Sequence, residues 1–225
     1  MEYLSWQEKN IGDAAAETIS KMYADGFLFT RIGKGIMKQT RSVRIDLAQF
    51  ELSSENRRIL KRTSTISLHD RNLPLTSAEY DWSLAKCAKD FYEIKFGAGT
   101  MSANKVKEML TDGTKSNFNT FLTFLNQDEK ENLRKKLGFV ICYKNSQLLH
   151  YCYPFYDLSL APKDMGLGMM VQAIVYAQKL GLRYVYLGSL QRPNDTYKLQ
   201  FKGLEWFDGK NWQDDVEEIK NILEK

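Results

Sequence analysis

"GFVICYKNSQLLHYCYPFYDLSLAPKDMGLGMMVQAIVYAQKLGLRYVYLG", residues 138–188, holds two apolar, aromatic-rich runs on either side of Asn145-Ser146, then an amphipathic stretch, then a third apolar run closed by Gly188. The first two runs read as a β-hairpin. Met170, Ala173, Ile174 and Ala177 recur at helical spacing and the pattern stops at Leu180-Gly181, so a helix leads from the hairpin into the strand RYVYLG. A hairpin joined to a strand-helix-strand unit gives a mixed sheet with flanking helices. The expected fold class is therefore α/β, of the α+β kind.

Upstream, residues 13–24 have helical periodicity and end at Asp25-Gly26, while FLFTRIG (27–33) and SVRIDLAQF (42–50) look like strands. Ser53-Ser54-Glu55 offers a cap for a basic helix, ENRRILKR, on which Arg57 and Arg58 recur one turn later as Lys61 and Arg62. Ser77 caps a helix over 77–96 whose core stripe is Trp82, Ala85, Ala88, Tyr92 and Phe96. A second helix runs from about 102 to Asp112-Gly113 and a third covers 117–125. His69 falls in a loop, and His150 lies on a strand where it shares a face with Cys152 and Pro154. The expected organisation is one unit over 1–225, with a basic part at 1–62, a core at 137–212 and a helical insertion at about 76–126.

A chain of 225 residues that is 43% hydrophobic can bury a sizeable core. Its apolar runs fall well short of the roughly 18–20 residues that span a bilayer. The start MEYLSWQEKN lacks the basic end and apolar stretch of a signal peptide. A soluble, cytoplasmic protein is expected. Cys87, Cys142 and Cys152 include no CxxC pair, which points to buried thiols rather than a disulfide framework or a zinc site. The net charge is only +4, but residues 31–62 hold nine basic side chains against three acids, a local net of +6. Such a patch suits a phosphate backbone, and equally an ordinary solvated face.

In KDMGLG (163–168), Gly166 and Gly168 let backbone approach a ligand, and the amides at the start of the following helix form an anion site. With Lys163 in first place the loop resembles the pyrophosphate-binding turn of the GNAT acyltransferases, which implies Lys163, Gly166 and Gly168 as cofactor-binding residues for acyl-CoA.

Three ordered blocks resemble the aminoacyl-tRNA-protein transferases, the arginyl and bacterial leucyl enzymes that share a GNAT-type fold and add one amino acid to a protein's N-terminus, marking it for degradation. RSVRIDLAQFELSSENRRILKRT (41–63) is similar to the family's arginine-bearing strand followed by a doubled arginine. YCYPFYDLSL (151–160) matches its Tyr-x-Phe-Tyr-Asp strand at Tyr153, Phe155, Tyr156 and Asp157, with Leu158 in place of proline. The third block matches at Tyr186-Leu187-Gly188, Tyr197-Lys198 and Phe201, and Asp208-Gly209 and Trp212 keep the family's ending. Two features depart. Met37-Lys38-Gln39-Thr40 stands where the family carries a cysteine pair, so no metal or iron-sulfur cluster is expected, and the 165–168 turn is closer to an acyl-CoA turn.

The resemblance implies aminoacyl-tRNA as donor, with no resident cofactor, and a protein or peptide N-terminus as acceptor, away from any membrane. It implies Asp157, Tyr197 and Lys198 as catalytic residues, with Lys198 a cation near the transferring carboxyl or the tRNA end and Asp157 holding the α-ammonium of donor or acceptor. Proton removal falls to Tyr197, Asp157 or water. Tyr153, Phe155, Tyr156, Tyr186, Gly188 and Phe201 would bind substrate, under a cover formed by residues 189–196. Arg44, Arg57, Arg58, Lys61 and Arg62 would grip tRNA phosphates. The amino acid carried, Arg or Leu, is left open. The alternatives are a GNAT enzyme transferring an acyl group from CoA to an amine or peptide, and a non-catalytic binder of tRNA or N-termini.

Overall fold

The computed structural model describes residues 4–12, 15–127 and 135–224. The first positions of the expected 13–24 helix, Asp13 and Ala14, lie outside the described residues. The chain forms two compact units, one from residues 1–53, 145–150 and 176–225 and one from 54–144 and 151–175.

In the first unit β1 (Gln7–Asn10), β2 (Phe27–Phe29) and β3 (Ile36–Gln39) form a small antiparallel sheet in the order β1-β3-β2. Helix α1 (Ala16–Ala24) buries Ile19, Met22 and Tyr23, the single stripe its periodicity predicts. The larger strand set is centred on β4 (Ser42–Asp46), every residue of which is buried. It pairs antiparallel with β9 (Tyr184–Ser189) on one side and β10 (Leu204–Phe207) on the other, and β10 pairs with β11 (Trp212–Gln213). On its far side β9 runs parallel to β8 (Leu148–Tyr156), with Leu148, Leu149 and His150 opposite Tyr184, Val185 and Tyr186. Antiparallel and parallel ladders in one strand set make the sheet mixed. A 3-10 helix, Pro193–Gln200, and the final helix α6 (Val216–Leu223) complete this unit.

In the second unit the strand order is β8-β7-β6-β5, with β5 (Ile66–Asn72), β6 (Thr120–Asn126) and β7 (Lys135–Lys144). Helices α2 (Ser54–Arg62), α3 (Trp82–Phe96) and α4 (Ala103–Thr111) flank it, α4 being capped by Ser102 as its sequence suggests. The core includes a row of rings: Phe121 stacks on Phe139 at 5.6 Å and Phe139 on Phe155 at 5.2 Å. Each contributes about 1.5–3 kcal/mol by removal from water. Helix α5 (Met165–Lys179) starts in this unit and ends in the first.

Four local expectations are corrected. Residues 117–125 do not form a helix, since Thr120–Asn126 is strand β6 between two neighbours. Its first five residues are all buried, so no polar alternation marks it as a strand, although its Thr and Phe content suits one. His69 is on strand β5 opposite Thr123 rather than in a loop. Helix α3 starts later than Ser77, because Asp81 supplies the cap by accepting from the Ser83 amide, and Trp82 and Phe96 stand 69% and 49% exposed instead of in the core. Residues 165–168 are the first turn of α5 and not part of a loop.

Candidate functional site

One residue before the end of strand β9, Gly188 takes φ +83°, a left-handed conformation that favours glycine, and a Cβ added there would meet nothing within 4 Å. The backbone turn therefore requires the glycine, and it leaves open space. Next, Leu190 donates its amide to the Arg41 carbonyl, and Gln191 bridges the Leu4 backbone and Thr40 Oγ1. Pro193 then opens the 3-10 helix, and Asp195 caps it. Its Oδ2 accepts from the amides of Gln191 at 2.8 Å and Arg192 at 3.0 Å.

This turn brings Lys198 back over the end of β9. Its ammonium donates to the Ser189 carbonyl at 2.8 Å and lies 3.6 Å from Asp195 Oδ1, with the side chain almost fully buried. Burial lowers its pKa from the ordinary lysine value, and Asp195 acts against that shift. Tyr197, the preceding residue, is 48% exposed with its ring 5.7 Å from the Lys198 nitrogen, whereas Phe201 is in the core. A buried cation beside an exposed phenol can stabilise an oxyanion or hold a carboxyl.

Beneath it, His150 is buried with Nδ1 2.8 Å from the Tyr23 hydroxyl. Burial, with a smaller contribution from Lys198, pushes the imidazole down to about 3, so it is neutral at physiological pH. Tyr23 also packs edge-on to Tyr186 at 4.9 Å. Tyr186 is 1% exposed and its hydroxyl accepts from Arg44 at 3.4 Å, so the direct substrate contact expected of it is not open in this structure. Arg44 itself is buried. Its Nε donates to Glu205 at 2.6 Å, and its guanidinium lies 4.1 and 3.8 Å from the rings of Tyr184 and Trp212. The expected phosphate grip would have to break this pair. In this structure Arg44 ties β4 to β9, β10 and β11.

The second unit holds the remaining expected residues. Phe155 is fully buried in the ring row, and Tyr153 lies edge-on to Phe118 at 5.3 Å. Asp157 closes the turn after β8, accepting from the Ser159 amide at 2.9 Å and hydroxyl at 2.6 Å. With Tyr156 it lines a depression of about 530 Å³. Burial pushes Cys87, in the same depression, up to about 11, with Asp157 and Asp90 adding to the shift, so its thiol is not activated. Arg57, Arg58, Lys61 and Arg62 are all exposed on α2, where Arg58 pairs with Glu55 and Arg62 with Asp164 at 2.7 Å.

The glycines at the start of α5 serve packing. A Cβ on Gly168 would lie 2.7 Å from Thr63 Cγ2, and one on Gly166 would lie 3.3 Å from the Tyr156 hydroxyl. Lys163 is exposed just before the helix. In the first unit the structure thus brings Lys198 to the end of the strand that carries Tyr186 and Gly188, and in the second it pairs Arg62 of α2 with Asp164 just before α5, with Asp157 in a turn of its own. Reasoning from sequence did not find Tyr23, Asp195, Glu205 or a structural partner for His150. Asp195 had a signal, an acid two residues after Pro193 in a helix-start pattern.

By fold, the chain is a mixed α/β protein whose likeness to solved structures includes L-PGS from Bacillus licheniformis, with a TM-score of 0.50 over 93% of this chain and 71% of that one. At 11% identity that likeness concerns the fold alone. No family model matches the chain. Among curated proteins it is similar to the aspartate/glutamate leucyltransferase of Ruegeria pomeroyi, 26% identical over 174 residues, which cover 76% of this chain and 61% of the relative. The enzyme of the same name from Alkalilimnicola ehrlichii is 29% identical over 178 residues, covering 76% and 69%. The match thus takes in about three fifths of the length of the Ruegeria relative. No helix among the described residues is long and apolar enough to cross a membrane.

Proposed function

We propose that the chain is an aminoacyl-tRNA-protein transferase that carries leucine from charged tRNA to the N-terminal amine of polypeptides beginning with aspartate or glutamate. The observation that carries this reading is the similarity over 76% of the chain to relatives named for that activity. The donor is then the charged tRNA itself, with no resident cofactor.

In this reading the acceptor amine attacks the ester carbonyl of the aminoacyl-tRNA. A C–N bond forms, the C–O bond to the terminal ribose breaks, the ammonium proton leaves and the ribose oxygen gains a proton. The Lys198 ammonium supports the negative charge that develops on the carbonyl oxygen, fixed for that task by Ser189 and Asp195. Tyr197 offers the neighbouring hydroxyl, and the acceptor proton goes to Tyr197 or water. The exposed cations of α2 take tRNA phosphates.

The test is incorporation of labelled leucine or arginine from the corresponding charged tRNA into peptides that differ only in their first residue. Leucine entering Asp- and Glu-initiated peptides, and not Lys- or Arg-initiated ones, is the expected result. Incorporation of arginine in its place would overturn the donor assignment, and turnover of acetyl-CoA with neither tRNA active would overturn the reading.

A further inference from the structure

Two depressions in the second unit adjoin along one face of its sheet. The larger, about 530 Å³, is lined by the buried Leu84, Phe91 and Phe139, by the exposed Ile94 and by Asp81, Asp90 and Asp157. The smaller, about 220 Å³, continues past Leu84, Phe139 and Lys136, which the two share, to Thr123 on β6 and to His69 and Arg71 on β5. In the ladder His69 is opposite Thr123 and Thr123 opposite Phe139, so the floor is one cross-strand row. From Asp157 at the end of β8 to His69 on β5 the groove crosses four neighbouring strands. At about 4.8 Å per strand spacing that is roughly 14 Å, the length of about four extended residues.

Shape and charge both select the occupant. A groove of roughly 14 Å that continues from one depression into the next has room for an extended chain along its length. Charge is uneven along it. At the β5 end Arg71 lies 3.9 Å from Glu79, and Asp70 pairs with Lys144 at 3.2 Å. At the larger end three carboxylates face Lys86 and Lys136, and Lys86 is already engaged by Asp90 at 2.5 Å. Among the described residues the larger end is therefore net negative.

We propose that this groove holds an extended stretch of the polypeptide acceptor, with a basic side chain at the Asp81, Asp90 and Asp157 end and apolar side chains over Leu84 and Phe139. The proposal rests on the transferase reading for the identity of the polypeptide, but its binding test is independent of turnover. Selection at positions beyond the first residue would let the protein discriminate among acceptors that share an N-terminal acid.

The experiment measures fluorescence anisotropy with C-terminally labelled hexapeptides beginning Asp-Ala and continuing with either two lysines or two glutamates. The parent chain should bind the lysine peptide about tenfold more tightly, as expected for replacing an attractive rim contact by a repulsive one. Asp90→Lys should reverse the preference, and Ile94→Glu, at a 71% exposed groove residue, should weaken apolar-rich peptides with the melting temperature unchanged. Equal binding of both peptides, or displacement of either by leucine amide alone, would overturn the proposal. Leucine transfer without any charge preference would sink the groove and leave the transferase reading standing. A reversible charge preference in a chain that transfers nothing would do the opposite.

Discussion

The Lys198 ammonium donates to the carbonyl of Ser189, nine residues earlier, at 2.8 Å, and so staples the end of β9 to the 3-10 helix that follows it. Asp195 joins both halves of the staple, with one carboxylate oxygen on the Gln191 and Arg192 amides and the other 3.6 Å from the lysine. Lys198→Met keeps most of the side-chain volume and removes the charge. It should lower leucine transfer by about 10²–10³ in kcat, as removal of an oxyanion partner does. It should cost about 1–3 kcal/mol in a denaturant melt, because the Ser189 carbonyl is left without its donor. A kcat within a factor of two of the parent would remove Lys198 from the chemistry.

Asp195→Asn keeps an oxygen for both amides and discards the charge beside Lys198. With the cap kept, the melt should stay close to that of the parent. Transfer should fall in kcat more than in KM, and Asp195→Glu should restore part of it. A kcat in Asp195→Asn within a factor of two of the parent would reduce Asp195 to a helix cap.

His150 gives the protein an acid-sensitive element. Its folded pKa is held at about 3 against an ordinary 6.5, so over that window the unfolded chain binds a proton that the folded chain refuses. Stability therefore falls as pH drops from about 6.5 towards 3, and above that window the group has no effect. His150→Gln should flatten this limb of a stability-against-pH curve, with some loss at neutral pH from the altered packing against Tyr23. Parallel curves for parent and variant would place the acid sensitivity elsewhere.

Arg44 and the α2 cations should part company in a salt titration. Arg57→Ala with Lys61→Ala should lower the slope of log affinity for tRNA against log salt by about 1 for each phosphate that is no longer neutralised. Arg44→Met should leave that slope unchanged and cost about 3 kcal/mol of stability, since it strands Glu205 in a largely buried pair. A changed slope in Arg44→Met would return that residue to the tRNA surface.

The hairpin, α5 and β9 were legible because each shows one period over its whole length, and α2 and α4 because their caps are written in the sequence. β5 and β6 were not. β6 is covered on both faces, so Phe121, Leu122 and Phe124 give the continuous apolar pattern that strand and buried helix share. The aromatics of the 151–160 block divide in the structure, with Phe155 fully buried and Tyr153, two residues earlier on the same face, only partly so, a division that alternation alone does not make. The hydrogen bond between Tyr23 and His150 spans 127 residues and leaves no local trace.

Gly168 offers a test between packing and ligand approach at the start of α5. A Cβ there would lie 2.7 Å from Thr63 Cγ2 and 3.1 Å from its Oγ1, and Thr63 is buried with its hydroxyl donating to the Ile59 carbonyl. Gly168→Ala should therefore destabilise the protein by about 1–3 kcal/mol, the usual cost of overfilling a packed site, despite the better helix propensity of alanine. Thr63→Ser removes the methyl group and keeps the hydroxyl, so the double variant should recover part of that loss, a favourable coupling in a double-mutant cycle. Glycine held for a ligand predicts the other pattern, in which Gly168→Ala melts like the parent or later, loses acyl-CoA or tRNA binding, and gains nothing from Thr63→Ser.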